Sequence, residues 1–286
     1  MLSPRSVLIT GASSGSIGSA LGVEFAARGF VVFATLRTIS KVDASLAALP
    51  NVHVLELDVT SDESITAAFH QVNAKTSGSL DYLINNAGAI YTAPLVDVDF
   101  TTARKLFDVN FWGVLSMTKG FTPFLIKAKG TVVNFSSVGA VVNTPWIGIY
   151  SASKAALTSA SETLRLELAP FKVKVVTLML GVVKSNLHVN TLEYRLPEGS
   201  IYSPIDEQIR VTDSGKLDPK AMDVKPFVKL LIKDLLDGKQ GRLWKGNVAS
   251  TVKWASNLLP TPVFDNLVSR GKGLDEISKM QRNGPS

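Results

Sequence analysis

Six short runs of β-branched and apolar residues recur along the chain with helix-like stretches between them, and this alternation restricts the fold more than any other feature. The runs are SVLIT (6–10), FVVFAT (30–35), HVLELDV (53–59), LDYLINN (80–86), GTVVNFSS (130–137) and VKVVTLML (173–180). Each is close to continuous in its apolar residues, the pattern of strands covered on both faces. The segments between them, Ile17 to Arg28, Ser61 to Thr76, Thr101 to Leu115 and Lys154 to Ala169, are amphipathic, and Pro170 stops the last. Strand and helix in alternation predict an α/β fold: a single doubly wound parallel sheet of the Rossmann type with helices on both faces. A last strand near GRLWKG (241–246) completes it.

With 286 residues, 45% of them apolar and 19% charged, the chain has ample material for one buried sheet. Residues 1–246 are expected to form one catalytic domain. From 185 to 223 the composition changes, with Pro197, Gly199, Pro204 and Gly215 punctuating polar and aromatic residues, and a substrate lid is expected over about 186–223. Beyond it Val248, Val252, Ala255 and Leu259 repeat at helical spacing before LLPTPVF breaks the pattern. Residues 247–286 therefore read as a C-terminal helical extension packing on the core or on a partner.

Cysteine is absent, and the three histidines, His53, His70 and His188, have no ligand-like spacing, so disulfides, thiolate chemistry and a metal site are not expected. The opening MLSPRSVLIT enters a strand-like run without the apolar core of a signal peptide, and no apolar stretch approaches the roughly 20 residues of a membrane span. The expected location is intracellular and cytoplasmic. The net charge of +6 is uneven: residues 1–215 hold 17 basic and 17 acidic side chains, and residues 216–286 hold 13 and 7. A basic tail invites an anionic neighbour or is a solvated helical surface; no basic run is long enough for nucleic acid. Peripheral contact with a membrane, the endoplasmic reticulum or lipid droplets stays open.

Between the first strand and the helix near Ile17 lies TGASSGSIG (10–18). Gly11 permits a tight turn, Gly15 lets the backbone approach a phosphate, Gly18 lets the helix pack on the sheet, and the helix's first amides face an anion. Gly11, Ser13, Ser14, Gly15, Ile17 and Gly18 are thus expected to cradle a dinucleotide's pyrophosphate, although one residue more than usual separates the last two glycines. After the second strand, FATLRT offers no acidic side chain for a ribose 2′-hydroxyl and offers Arg37 instead, with Lys41 as a second cation. That pair suits a 2′-phosphate and predicts NADPH/NADP+ as cofactor. Tyr150 and Lys154 are four apart and share one helical face. An ammonium beside a phenol favours the phenolate and lowers its pKa from about 10, which suits a general acid for carbonyl reduction.

TGASSGSIG, NNAG (85–88), NFSS (134–137) and YSASK (150–154) stand in an order that resembles the short-chain dehydrogenase/reductase family over about residues 5–185. Within it the chain is similar to a fungal branch typified by 1-acyldihydroxyacetone-phosphate reductase, which carries an extra residue in the same glycine loop, here Ser16. The resemblance implies a catalytic tetrad of Asn110, Ser137, Tyr150 and Lys154. Ser137 would hold the substrate oxygen, and Asn110, in DVNFWG, would organise its helix and a proton-relay water near Lys154. Tyr150 and Lys154 would also bind the cofactor. Asp58 and Val59 would flank adenine; Asn86, Ala87 and Gly88 would line the central sheet edge. Val183 and Ser185, in LGVVKSN, would meet the nicotinamide amide and the phosphates. That motif departs from the family in having Leu180 where proline is usual, so a less rigid loop is expected. Pairing as a homodimer or homotetramer through the helices containing Asn110 and Tyr150 is also implied.

Taken singly, Tyr-x-x-x-Lys is an ordinary surface pair and Ser137 or Asn110 an ordinary cap; in concert they point to an enzyme. The expected reaction is NADPH-dependent reduction of a ketone to a secondary alcohol. A lipid-like substrate such as an acyldihydroxyacetone phosphate fits an apolar lid containing Leu192, Tyr194, Leu196, Ile201 and Tyr202. A tailoring ketoreductase of fungal secondary metabolism and a non-catalytic NADPH sensor are the alternatives.

Overall fold

A computed structural model describes residues 4–187, 192, 194–215 and 220–283. The strands are β1 (Ser6–Thr10), β2 (Val31–Leu36), β3 (Val52–Glu56), β4 (Tyr82–Asn85), β5 (Thr131–Phe135), β6 (Lys174–Leu180) and β7 (Gly241–Lys245). They form one sheet in the order β3-β2-β1-β4-β5-β6-β7, with every neighbouring pair parallel. The strand order reverses between β1 and β4, which places a crevice outside their carboxyl ends.

The helices are α1 (Ile17–Ala26), α2 (Ala44–Ala47), α3 (Asp62–Thr76), α4 (Phe100–Phe107), α5 (Gly113–Ala128), α6 (Gly148–Leu168), α7 (Asp206–Asp213), α8 (Val224–Leu236), α9 (Ala249–Leu258), α10 (Thr261–Ser269) and α11 (Leu274–Asn283). Successive strand residues point to opposite faces, which explains the continuous apolar runs. Val7 and Ile9 of β1 join Leu21 and Phe25 of α1 and Phe227 and Leu231 of α8. Leu8 turns the other way, to Ile65 and Val72 of α3 and Phe121 and Leu125 of α5. All seven predicted strands are present and form the expected doubly wound sheet.

The helices differ more from the sequence reading than the strands do. The stretch predicted as Thr101 to Leu115 is α4, a π-type turn at Asp108–Trp112, and then α5, which runs on through Pro123. Burial of Met117, Phe121, Phe124 and Leu125 offsets the roughly 3 kcal/mol that an interior proline costs a helix. The stretch 186–223, expected as a substrate lid, contains α7; its sequence DEQIRVTD is short and polar, so no apolar period announces it. Residues 188–191, 193 and 216–219 of that lid lie outside the described residues. In the last 40 residues the helices bury little: Trp254, Leu258, Val263 and Leu267 are exposed on α9 and α10, whereas Leu274 and Ile277 of α11 pack on Ile205 and Ile209.

β7 is fixed to α8 by a buried acid. Asp234 is 5% exposed and accepts ion pairs from Lys239 at 2.7 Å and Lys245 at 2.6 Å. Burial pushes its carboxyl up, but hydrogen bonds and charge from the two lysines outweigh that and hold it below the ordinary carboxylate range. The stabilisation is present above the unfolded value near 3.9 and is lost as pH falls through the lower folded value. Asp234→Ala is expected to lower the unfolding free energy by about 3 kcal/mol in urea titrations at pH 7, with the gap to wild type closing below about pH 4.

Candidate active site

The carboxyl ends of β1 and β4 are joined by a hydrogen-bonded knot. The Thr10 hydroxyl accepts from the amides of Asn86 (3.0 Å) and Ala87 (2.9 Å), and the Asn86 amide side chain donates to the carbonyls of Thr10 (2.8 Å) and Gly11 (3.0 Å). Gly11 and Gly15 take positive φ, +72° and +73°, a conformation that costs glycine nothing. A side-chain carbon at Gly18 would lie 2.6 Å from the Gly11 carbonyl oxygen, so only glycine lets α1 start this close to β1.

The extra residue of the loop has a local role. Ser16 is the N-cap of α1: its hydroxyl accepts from the Ser19 amide and donates to the Gly11 carbonyl, both at 3.0 Å. The insertion thus closes on itself, and the cap takes one first-turn amide while leaving those of Ile17 and Gly18 ahead of it. The loop is also sewn to the chain after β2, through Ala12 N to Thr35 O (2.9 Å) and Ser14 N to Lys41 O (2.8 Å).

A cleft of about 420 Å³ runs over these strand ends. It gathers Gly11, Ser13, Ile17, Arg37, Lys41, Asp58, Val59, Asn86, Ala87, Gly88, Tyr150, Lys154 and Ser185 from the sequence-predicted set. Arg37 and Lys41 stand exposed at one end, and neither makes an ion pair among the described residues. Ser14, Gly15, Gly18, Asn110, Ser137 and Val183 stand behind or beside the lining. Ser14 and Gly15 stay exposed beside Asn186, whose amide donates to the Ser14 carbonyl at 2.7 Å and fills the space next to Gly15. Val183 is buried and bridges to Met222.

At the other end, α6 brings Tyr150 and Lys154 inward, both buried. Lys154 Nζ donates to the Phe135 carbonyl at 2.8 Å and lies 5.9 Å from the centre of the Tyr150 ring. Ser137 reaches the same spot: a side-chain carbon at Gly139 would stand 3.3 Å from Ser137 Oγ and 3.4 Å from Tyr150 Cε1. The Ser137 hydroxyl accepts from the Gly139 amide at 3.0 Å, which leaves its own proton to donate. Asn110 lies in the π-type turn, fully buried. Its carboxamide accepts from Ala89 N (2.9 Å) and donates to Ala89 O (2.9 Å) and Ser153 Oγ (3.1 Å), and Ser153 in turn donates to the Tyr150 carbonyl at 2.7 Å. Its side chain therefore braces α6 against the end of β4 and does not face the cleft. Across the mouth, Ala89, Leu187 and Leu192 pack with Ile90, Tyr91, Leu106 and Tyr150 as an apolar cover.

The family model described as short chain dehydrogenase matches residues 5–195. The chain belongs to this family. A short-chain dehydrogenase, ptmH, from Penicillium ochrochloron is 42% identical over 270 residues, covering 94% of this chain and 98% of its own. The NADPH-dependent 1-acyldihydroxyacetone phosphate reductase of Schizosaccharomyces pombe is 38% identical over 278 residues, covering 92% and 93%. The crystal structure of a short-chain dehydrogenase from Streptomyces avermitilis superposes with a TM-score of 0.76 at 28% identity, covering 98% of both chains.

Several residues of this short-chain dehydrogenase that shape the site were not singled out from sequence. Ser136, Thr38 and Lys105 line the cleft, Gly139 separates Ser137 from Tyr150 without intruding, and Asn186 spans to the glycine loop. Asn186 is the last residue of the quoted motif LGVVKSN, in which only Val183 and Ser185 were given roles. The loop after β6, expected to be slack without proline at 180, is laced by backbone bonds instead: Val182 exchanges with Asn247, and Met222 bonds to both Val182 and Lys184.

Burial pushes the Lys154 ammonium down to about 8. Unfolded, it keeps its proton to about 10.4, so between about pH 8 and 10 the unfolded chain binds more protons and stability at this site rises with pH. Near neutrality the buried charge opposes folding by about 3 kcal/mol. Lys154→Met is expected to melt at or above the wild-type temperature at pH 7, its advantage shrinking toward pH 10, as measured by scanning calorimetry. A lower melting temperature at pH 7 would mean that the bond to Phe135 outweighs desolvation.

Proposed function

We propose that this oxidoreductase uses NADP(H) and reduces a ketone to a secondary alcohol, with Tyr150 delivering the proton. The observation that carries the reading is the convergence of Ser137, Tyr150 and Lys154 at one end of a cleft whose other end presents Arg37 and Lys41, which make no ion pair among the described residues. The glycine loop suits a pyrophosphate because a side chain at Gly11 would strike Ala87 and its positive φ suits glycine alone. The cationic end suits a 2′-phosphate, and the S. pombe relative is NADPH-dependent by name.

The bound cofactor would supply a hydride to the carbonyl carbon. Ser137 would donate its free hydroxyl proton to the carbonyl oxygen and hold it, and Tyr150 would transfer its phenolic proton to that oxygen as charge develops there. Lys154 would favour the phenolate left on Tyr150 and hydrogen-bond the ribose. Asn110 would act as a positioning residue, since its side chain is committed to Ala89 and Ser153.

The apolar cover formed by Leu187, Leu192, Ile90 and Tyr91 supports a lipid-like ketone, of which an acyldihydroxyacetone phosphate is one instance. The same cover would also suit a compact polycyclic ketone, the substrate of a tailoring reductase, because its apolar residues distinguish neither shape. The exposed Phe100 and Trp112 support pairing of two copies beside the helix of Asn110. The exposed apolar residues of α9 and α10, with the basic excess of the tail, support peripheral membrane contact.

NADPH oxidation against an acyldihydroxyacetone phosphate, a steroid ketone and a polycyclic aromatic ketone separates these substrates. Tyr150→Phe is expected to lose about 10²- to 10⁴-fold in turnover while still binding NADPH, and unchanged turnover would overturn the proton-donor assignment. Arg37→Ala is expected to weaken NADPH about tenfold or more with little change for NADH. Tight NADPH binding with no turnover of any ketone would favour the sensor.

A further inference from the structure

The loop leading into α6 contains a strained residue. Trp146 has φ +74°, a left-handed conformation that a bulky side chain rarely adopts. Such a conformation persists only where the surroundings over-determine it, and here the bonds that do so run across the whole fold. The Trp146 carbonyl accepts from the Ala93 amide at 2.7 Å. Its ring is 6% exposed and meets Tyr202 of the lid edge-on at 5.0 Å. Its indole N–H donates to the carbonyl of Lys272 at 2.9 Å, 126 residues away in the C-terminal segment.

That segment is seated by more than one bond. Gly273 has φ +83°, and a side-chain carbon there would stand 3.1 Å from Ile205, so the backbone lies directly on the lid. Lys272 Nζ donates to Thr212 Oγ1 at 3.3 Å, and the Gln208 amide donates to Glu276 at 2.8 Å, tying the segment to α7. Leu274 and Ile277 complete the cluster of Trp146, Tyr194, Ile205 and Ile209. Trp146 therefore touches the lid through its ring and the tail through its N–H, while its backbone sets the start of α6. Tyr150 sits in the first turn of that helix, four residues on.

We infer that Trp146 is a positioning residue through which the docked C-terminal segment, residues 271–277, fixes the first turn of α6 and the lid, and so sets both the placement of Tyr150 and the apolar wall offered to the substrate. The inference rests on the ketone-reductase reading for its kinetic arm but not for its structural one. An unmoored Trp146 would relax toward negative φ, and a shift of about 1 Å in a catalytic group can cost on the order of a hundredfold in rate.

The test uses two full-length variants. Trp146→Phe keeps an aromatic ring and removes the N–H donor; Gly273→Ala strains the tail's seat on Ile205 and lies outside the site. Both are compared with wild type in trypsin cleavage after Arg270 and Lys272, amide exchange over residues 147–151, NADPH affinity, and kcat and KM for the ketone. The expected result is about fivefold faster cleavage and exchange in both, the loss of one net hydrogen bond, with kcat lower by about tenfold or more and NADPH affinity unchanged. Unchanged cleavage in Trp146→Phe would overturn the inference, and so would a loosened tail with unaltered exchange at 147–151 and unaltered kinetics. Should the wild type turn over no ketone, the reductase reading fails on its own, and the exchange measurement still decides this one.

Discussion

Where β1 and β4 end side by side, the backbone at Gly11 passes so close to Ala87 that a side-chain carbon at 11 would lie 2.9 Å from the Ala87 Cα. This contact exists because the sheet reverses its winding there, and the Thr10 and Asn86 hydrogen bonds hold it shut. Every other part of the site takes its position from it. On one side the chain turns into the glycine loop and the amide end of α1. On the other it continues to Gly88, where a side-chain carbon would crowd both Asn110 Oδ1 and Lys154 Nζ at 3.3 and 3.6 Å. Two positions without side chains, Gly11 and Gly88, thus bring the glycine-loop end and the Tyr150–Lys154 end of the cleft within one construction.

The Tyr150–Lys154 end is built from buried polar groups, which are costly unless paired. The structure resolves that cost by a relay of donors: Asn110 grips Ala89, passes to Ser153, and Ser153 grips the Tyr150 carbonyl. The π-type turn at 108–112 is what lets Asn110 sit opposite Ala89 at the depth of α6; such turns interrupt regular helices and are frequent at functional sites. Lys154 is the exception, with burial pushing its pKa down to about 8 and, among the described residues, the Phe135 carbonyl as its hydrogen-bond acceptor. On the proposed function, an ammonium held at that cost would serve a phenol that gives up its proton.

The sheet was legible from the sequence because parallel strands buried on both faces must be apolar throughout, and Val7, Leu8 and Ile9 illustrate how alternate residues serve opposite cores. The glycine loop and the Tyr150–Lys154 pair were legible because each is local, with geometry fixed by spacing within one turn or one helix. What the sequence hid is non-local. Asn186 and Gly139 act on residues that only the tertiary fold brings near. The sequence reading ended its helical stretch at Leu115, whereas α5 runs on to Ala128 through Pro123, whose local penalty yields to the burial of Phe121 and Phe124. Ser16 was visible as an insertion, but its function as a cap depends on the Ser19 amide and the Gly11 carbonyl lying within reach at once.

The two ends of the cleft also differ in how the chain builds them. The glycine-loop end is built mainly from consecutive β–α turns, so most of its residues fall within the first 90 positions, joined by Lys105, Asp108, Val109, Ser185 and Asn186. The apolar end draws on Ile90 and Leu192, with Trp146, Tyr202 and Leu274 in a second apolar cluster, and these stretches meet only after the sheet is complete. Contacts of that kind are made by exposed-loop backbone and a few side chains, Ser200 on Asp97 and Tyr194 on Asp206 among them, each at 2.6 Å. A substitution in any of these segments can reshape the apolar wall without touching the glycine-loop end. On the proposed function this would separate the binding of a common cofactor from the choice of a ketone, and the strained turn at Trp146 lies on the apolar side.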